Sequence, residues 1–302
     1  MPAIYTHDSF GRAVVSTLPP AFIKLYEAYP EAFRLGFQGP DILFYHKPLK
    51  SNPIKKKGMS LHVDMAGGDF FTRQAQTLLQ TAQTENIQTD ENAVLGAEKI
   101  IKANGAHAAY IAGFLCHFTL DVTCHPTIDS RDDGELTHGK IESELDKYVR
   151  RKDGVKLRGY NVAKDCIRGE NGCAEAISKS LEVPIENIHT SIKTMRKING
   201  FFTTSFAPFH GVAHFFLKLV GMERKFGDMF MHKKDDPRSI DLCPVLYEKM
   251  QNAIPRAAAL IERYFNELSR FANEGAQNLD DIFRYAYNGV VFNETTKIND
   301  NV

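Results

Sequence analysis

One stretch of the chain, residues 107–146, joins an apolar segment to histidines and carboxylates that recur at intervals of one helical turn. Residues 108–118 are almost wholly apolar, which predicts a buried helix. His117, Asp121 and His125 follow at four-residue steps, so on a helix their side chains lie within roughly 80° of one another. A buried carboxylate needs a partner that compensates its lost hydration. The chain must therefore pack other elements around this helix and also supply a partner for its aspartate.

The same spacing recurs in the next predicted helix, where His138 and Glu142 are four residues apart. Imidazole and carboxylate groups one turn apart can bind the same cation, as in helical zinc sites. A single histidine–aspartate pair is explained by a hydrogen bond within the core, but three successive pairings in two adjacent helices favour a metal. Cys124 lies on the face of His117 and is a candidate thiolate ligand, although a cysteine beside Thr123 more often packs in the core.

Composition limits the class of protein. The 302 residues are enough for one large domain or two of ordinary size, and a hydrophobic fraction of 43% is ordinary for a soluble globular protein. Basic and acidic residues both number 37, so double-stranded DNA is not expected as a partner. The longest apolar stretches, 108–118 and 201–222, are too short or too often interrupted to predict a transmembrane segment.

The cysteines and the start of the chain bear on its cellular setting. The five cysteines are odd in number and follow no zinc-finger spacing. The chain begins MPAIYTHDSF, without the basic region and apolar run of a secretory signal. Together these features predict free thiols in a reducing, cytoplasmic compartment.

Helical patterns occur along the whole chain. The predicted helices are 4–17, two short pieces within 18–37, 70–86, a helix capped by Asp90 and ending near 103, the central helix up to Pro126, 138–152 with Thr137 as its N-cap, 184–198, 206–220, 245–272 and 279–288. Residues 46–60 and 153–175 are rich in Gly, Pro or charged residues, and we expect exposed loops there.

Strand signals are nearly absent, because no run of β-branched residues alternates over five positions. The sequence therefore predicts an all-α, single-domain multi-helix bundle over residues 1–292. We expect the candidate ligands within 1–146, supporting helices within 180–292, and a polar, frayed tail at 293–302.

Three more potential donors, His7, Asp41 and His62, lie in the N-terminal part of the chain. Alone, each has an ordinary explanation, since an aspartate after Gly-Pro usually belongs to a turn. Together with the central stretch they form an ordered series of motifs: T-H-D-S-F-G (6–11), G-F-Q-G-P-D (36–41), L-H (61–62), G-F-L-C-H-F-T-L-D…C-H-P (113–126) and T-H-G-K-I-E (137–142). This series, over roughly residues 4–146, resembles the zinc-dependent phospholipase C family, which is related to the fungal single-strand-specific nucleases.

The resemblance implies an all-α bundle with two to three zinc ions at the base of a cleft. The matching positions would bind three ions as follows: Asp41, His62, His117 and Asp121 the first, His7 and Asp121 the second, and His125, His138 and Glu142 the third. In the family the N-terminal residue adds its amine to the second ion. Removal of Met1 would leave the Pro2 amine for that role, although the tryptophan that secreted members expose there is missing.

The resemblance also implies an activity. Clustered zinc ions lower the pKa of a shared water, so that a zinc-bound hydroxide can attack phosphorus in line. Asp41 would orient this hydroxide or accept its proton, and Asp121 would bridge two ions. We therefore expect a zinc-dependent phosphoric ester hydrolase, in the first place a phospholipase C-like phosphodiesterase.

Two other functions stay open at this point. A nuclease or nucleotidase would use the same metal cluster with base-stacking aromatics along a basic cleft, for which Tyr5, Tyr45 and the lysine-rich 47–57 segment are candidates. Alternatively, zinc could only hold helices together in a non-catalytic scaffold. An open coordination position would favour an enzyme, and a closed zinc shell would favour the scaffold.

The apolar segment 201–222 also has two interpretations. It is either a buried core helix or a surface for lipid, through which the protein would contact a membrane peripherally. Its His210 and His214 have few carboxylates nearby, so we expect them to line the core or a cleft rather than bind metal. The expected partner is accordingly a phosphoester substrate, with phospholipid as one candidate.

Overall fold

The chain is all-α, as predicted. The computed structural model describes residues 4–84, 96–157, 161–168, 172–202 and 234–292. The α-helices of these ranges are α1 (Ile4–Val15), α2 (Pro20–Ala28), α3 (Pro30–Phe37), α4 (Pro53–Val63), α5 (Gly67–Thr84), α6 (Ala97–Asn104), α7 (Ala106–Asp129), α8 (His138–Lys152), α9 (Val162–Cys166), α10 (Ala174–Leu181), α11 (Ile185–Phe202), α12 (Leu242–Asn266), α13 (Leu268–Glu274) and α14 (Ala276–Leu279). Short 3₁₀ helices are Gly39–Tyr45, Pro237–Ser239 and Asp281–Arg284.

α7 is the central element, and its residues 107–121 are all buried. α1, α3 and α12 pack against it. At the crossing with α3, a Cβ on Gly36 would lie 2.3 Å from the carbonyl oxygen of Tyr110. A Cβ on Gly113 would lie 2.1 Å from the carbonyl oxygen of Phe33. The two helix backbones therefore touch directly, which only glycine permits at these positions.

Two buried aspartates fix the position of α1. Asp146 of α8 accepts hydrogen bonds from the backbone N–H groups of Tyr5 at 3.2 Å and Thr6 at 2.8 Å. These groups lie in the first turn, where helical N–H donors lack intrahelical partners. Asp8 is paired with Arg34 of α3 at 2.6 Å. The histidine of α1 thus lies between two anchored residues.

The segment 46–60, predicted to be an exposed loop, contains most of α4. The Asn52 side chain accepts a hydrogen bond from the backbone N–H of Lys55 at 3.0 Å, and Pro53 occupies the first helical position. The prediction was wrong because the Asn-Pro pair begins a helix here, and the lysines that follow are good helix formers.

The central helix was predicted to end at Pro126, but it continues to Asp129. A proline loses its own backbone hydrogen bond and crowds the carbonyl four residues earlier, but its own carbonyl can still accept, and here it accepts from the backbone N–H of Ser130 at 3.3 Å. The additional turn brings the Asp129 carboxylate to the beginning of α8.

The long helix predicted over 245–272 is divided at Glu267 into α12 and α13. Tyr264 and Leu268 are both buried on either side of the break, so the apolar periodicity continues through it. Hydrophobic spacing alone therefore could not reveal the interruption.

The prediction of a helix over 279–288 is also wrong. Asp280 is extended, and its side chain accepts a hydrogen bond from the backbone N–H of Ile282 at 3.1 Å, which starts a 3₁₀ helix. An extended segment follows, in which Tyr285 pairs with Val291. A short aspartate cap competes here with the α-helix that apolar spacing favoured.

The remaining departures concern predicted loops and termini. The segment 153–175, predicted to be a surface excursion, contains α9, whose Val162, Ala163 and Cys166 are buried. The helix predicted over 206–220 with its two histidines, the cap Asp90 and the tail 293–302 lie outside the described residues.

A connected cluster of buried hydrophobic residues extends from Ile4 to Tyr287. Among the described helices, none combines the length and the apolar character needed to cross a membrane.

Candidate metal centre

The eight candidate ligands come from five elements and meet around one cavity of about 560 Å³, called here the central cavity. They are His7 of α1, Asp41 of the first 3₁₀ helix, His62 of α4, His117, Asp121 and His125 of α7, and His138 and Glu142 of α8. Seven of them line the cavity, and His117, 1% exposed, is buried beside it.

Asp121 lies at the centre of this arrangement. One of its oxygens is 3.3 Å from His7 Nε2 and 3.7 Å from His125 Nε2, and the other is 3.1 Å from His117 Nε2. Burial by itself would raise the pKa of Asp121, but the surrounding imidazoles, above all those of His117 and His125, hold it below the ordinary range. The carboxylate therefore stays ionised inside the core.

Asp41 and His62 meet beside His117. Asp41 Oδ1 lies 3.0 Å from His62 Nε2, and these two residues form a group with His117 in which the potential ligand atoms are all within 4.8 Å of one another. Gly39 makes room for the group, because a Cβ there would lie 2.4 Å from His117 Cδ2. Its φ of 50° is in the left-handed region, which favours glycine.

The third group is formed by His125, His138 and Glu142. Glu142 Oε1 lies 3.3 Å from His138 Nε2 and 3.7 Å from His125 Nε2. Thr137 is the N-cap of α8, as predicted, and its hydroxyl accepts a hydrogen bond from the backbone N–H of Lys140 at 3.2 Å. The cap sets the start of the helix, so that the histidine and the glutamate share one face.

Four of the imidazoles are oriented by a partner at Nδ1. The pairs are His62 with the Gly58 carbonyl at 2.7 Å, His117 with the Phe37 carbonyl at 3.2 Å, His125 with the Tyr287 carbonyl at 2.8 Å, and His138 with the Asp129 carboxylate at 2.8 Å. Because carbonyl and carboxylate oxygens can only accept, Nδ1 carries the hydrogen in each pair. When such a ring is neutral, its Nε2 lone pair faces the centre, which is the second-shell pattern of metal-binding histidines. Burial lowers and the carboxylates of Asp121 and Glu142 raise the pKa of His125, to about 10, so that a cation bound there would take the place of a proton.

These residues fit zinc. A lone pair at Nε2 facing a carboxylate oxygen at 3.0 to 3.3 Å is unfavourable unless a proton or a cation lies between the two atoms. His117 Nε2 is buried and has no hydrogen-bond partner, since its contact with Asp121 lacks hydrogen-bond geometry. Burial, and then the neighbouring His117, lower the pKa of His7 to about 4, so this imidazole is neutral near pH 7. Neutral imidazoles with ionised carboxylates are the donor set that zinc prefers.

Cys124 does not join these groups. It is 3% exposed, and burial together with the negative charge of Asp121 raises the pKa of its thiol to about 12. A thiol that keeps its proton is a poor zinc ligand, which favours core packing. Pro2 lies outside the described residues, so its amine as a ligand stays a prediction.

Sequence reasoning missed several contributors to the site. Tyr287 orients His125 through its backbone carbonyl, and a carbonyl carries no residue-specific signal. Lys55 and Asn288 line the central cavity from α4 and from the extended C-terminal segment. Lys55 was assigned to a loop, and the C-terminal half was expected to supply only supporting helices, so neither was expected in the cavity wall.

The comparison with protein families agrees with this geometry. The model of the family described as zinc dependent phospholipase C matches residues 6–195, more than half of the chain, and this range contains all eight candidate ligands. Searches of curated proteins and of solved structures found no match. The chain belongs to the zinc-dependent phospholipase C family, a family of hydrolases.

Proposed function

We propose that the protein is a zinc-dependent phosphodiesterase that acts on phospholipids in the manner of a phospholipase C. The observation that carries the proposal is the meeting of three potential ligand groups at one open cavity of about 560 Å³. A non-catalytic zinc scaffold would enclose its metal, whereas side chains of His62, Asp41 and His138 here remain 12%, 16% and 34% exposed. Access to the metal from solvent supports catalysis.

The three groups define the proposed ligand sets for two to three zinc ions. Asp41, His62 and His117 would hold one, His7, His117 and Asp121 another, and His125, His138 and Glu142 a third. Zinc bound in such a site supplies Lewis-acid activation of a water molecule and of a phosphoryl oxygen.

The protein's own side chains support in-line attack on a phosphodiester. Burial alone would raise the pKa of Asp41, but the nearby His62 lowers it, and the net shift is downward. The carboxylate is therefore ionised and able to accept a proton. Asp121 is ionised as well and would hold its neighbouring imidazoles in place. Lys55, in the same cavity wall, offers an ammonium group to a phosphoryl oxygen.

The rest of the cavity wall favours a lipid over a nucleic acid. Phe44, Met59 and Val63 form an apolar side of the cavity. Tyr5 and Tyr45, the aromatics expected to stack with bases in a nuclease, are only 4% and 3% exposed. Stacking needs an accessible ring face, so these two tyrosines do not support the nuclease alternative.

Two proposals concern the chain as a whole. We propose that residues 1–292 form one domain, because the buried hydrophobic cluster joins the first described helix to Tyr287. We also propose a cytoplasmic location, supported by five cysteines that are all buried and form no disulfide.

The test is hydrolysis by the zinc-loaded protein of bis(p-nitrophenyl) phosphate, of phospholipid in detergent micelles and of single-stranded DNA. We expect cleavage of the first two substrates, and loss of cleavage on chelation of zinc. Asp41→Asn should lower the rate by about 10²- to 10⁴-fold, whereas the exposed Asp64→Asn should not change it. Cleavage of DNA but not of phospholipid would favour the nuclease, and stoichiometric zinc without turnover of any substrate would favour the scaffold.

A further inference from the structure

The chain beside the central cavity is strongly basic. Residues 42–63 contain five lysines and no aspartate or glutamate, although the whole chain has equal numbers of basic and acidic residues. Lys57 is paired with Glu182 at 2.9 Å. Lys47 and Lys50 are exposed, as is Lys56 on the outer face of α4.

The same segment exposes large apolar side chains. Leu49, Met59 and Val63 are 64%, 50% and 43% exposed. Lys56, Met59 and Val63 follow one another at steps of three and four residues, so they share one face of α4. The buried Gly58 lies against the first 3₁₀ helix. The helix therefore exposes apolar side chains beside Lys56, whereas the solvent-facing side of a helix usually carries only polar and charged side chains.

The turn that carries Leu49 has a defined structure. Lys47 adopts a φ of 45°, in the left-handed region that residues with a Cβ rarely enter. The side chain of Asn52 donates to the carbonyls of His46 at 2.9 Å and Lys50 at 3.1 Å. These bonds close the turn and hold its leucine outward.

Two of the exposed groups belong to the wall of the central cavity. Met59 and Val63 are exposed and also line the cavity. Lys55 lines it too, and its ammonium group donates to the carbonyl of Pro48 at 3.2 Å, which places the 47–50 turn beside the same wall. A surface that contacts Met59 and Val63 therefore lies beside the cavity that holds the candidate metal centre.

We propose that this rim, made of Lys47, Leu49, Lys50, Lys56, Met59 and Val63, docks the protein onto the surface of an anionic lipid bilayer. The lysines complement anionic head groups, and the apolar side chains enter the boundary between head groups and acyl chains. A folded partner seated on the rim would cover the cavity, whereas a bilayer presents phosphoesters to it. The purpose of docking rests on the proposed phospholipase function, but the surface is inferred from exposure and charge.

Cosedimentation with vesicles tests the proposal. We expect the zinc-loaded protein to bind vesicles of phosphatidylcholine mixed with phosphatidylserine, and to bind pure phosphatidylcholine at least about tenfold more weakly. Added salt should release it, because screening weakens attraction between the lysines and the head groups. Leu49→Ser combined with Lys50→Ser should weaken binding to the anionic vesicles by about tenfold or more.

The matched control is Ile240→Ser combined with Lys24→Ser, which removes one exposed aliphatic group and one exposed lysine outside the rim. It should bind anionic vesicles like the wild type. Equal binding by the Leu49/Lys50 variant and this control would overturn the proposal. So would salt-independent binding of the wild type, a measurement that needs no variant. A rim-dependent dimer without vesicle binding would assign the surface to a second copy of the chain instead.

The failure of docking and the failure of the proposed activity are distinguishable. Leu49 and Lys50 do not line the central cavity, so their variant should hydrolyse soluble bis(p-nitrophenyl) phosphate at the wild-type rate. Hydrolysis of the soluble ester without vesicle binding overturns the docking surface alone. Vesicle binding that depends on the rim, without hydrolysis of any ester, supports the docking surface and overturns the activity.

Discussion

At the scale of single residues, the site depends on how its imidazole rings are held. His117 has its Nδ1 against the Phe37 carbonyl and its Nε2 directed at Asp121. The ring fits between these groups because Gly39 has no side chain to occupy the same space. Small changes at such positions alter metal affinity without removing a ligand.

We predict that Gly39→Ala lowers zinc affinity by about 10- to 100-fold, the range for disturbed support of a metal ligand. The new Cβ would meet His117 Cδ2 at 2.4 Å and displace the ring. The matched control is Gly154→Ala, which also has a positive φ, 69°, but open space around its Cβ. Competition with a chelator measures both affinities. Equal loss in the two variants would show that backbone strain, rather than the histidine, is responsible.

Lys55 gives a second prediction at this scale. Lys55→Met should lower kcat/KM for bis(p-nitrophenyl) phosphate by about tenfold, the effect of losing one charge-assisted hydrogen bond. Zinc content should be unchanged, because the ammonium group is not in any of the three ligand groups. Lys56→Met, the exposed neighbour, serves as control and should leave hydrolysis of this soluble ester unchanged. An unaltered rate in Lys55→Met would remove this lysine from the proposed mechanism.

At the scale of elements, α8 positions two parts of the site. It carries His138 and Glu142, and one turn later Asp146 receives the first N–H groups of α1. Burial raises the pKa of Asp146 to about 7, although hydrogen bonds from Thr6 oppose the increase. The attachment of α1 to α8 should therefore respond to pH.

We predict that the contribution of Asp146 to the free energy of unfolding decreases as pH rises from about 4 to about 7. In this window the folded protein keeps the Asp146 proton and the unfolded chain, with an ordinary carboxyl pKa near 3.8, has lost it. This difference contributes a slope of about −1.4 kcal/mol per pH unit. A comparison of denaturant unfolding between zinc-free wild type and zinc-free Asp146→Asn isolates this contribution, since only the wild type has the titrating carboxyl group. Parallel pH profiles for the two proteins would contradict the assignment.

Sequence alone predicted the elements whose signals are local. α7 follows from its continuous apolar run and α8 from the Thr137 cap, and the four-residue steps along them placed their ligands on common faces. α4 was missed because its lysines and Pro53 were interpreted as a loop. The carbonyl partner of His125 comes from residue 287, beyond any short-range pattern. Side-chain chemistry was thus predictable, whereas support from distant backbone was not.

At the scale of the whole molecule, a single centre draws on sequence positions far apart. The family match ends at residue 195, but α12 packs against α7, and the Tyr287 carbonyl orients a candidate ligand. The C-terminal part therefore supports the candidate metal centre through packing and backbone contacts. The central claim is that the groups converging on Asp121 bind zinc.

The most direct measurement is zinc content, by elemental mass spectrometry, of wild type, Asp121→Asn and the exposed control Asp64→Asn. We predict two to three zinc ions per chain in the wild type and in the control. Asp121→Asn should lose at least one ion, because an amide cannot replace the carboxylate that faces three imidazoles. A wild type that binds no zinc, or an Asp121→Asn variant with undiminished zinc, would contradict the central claim.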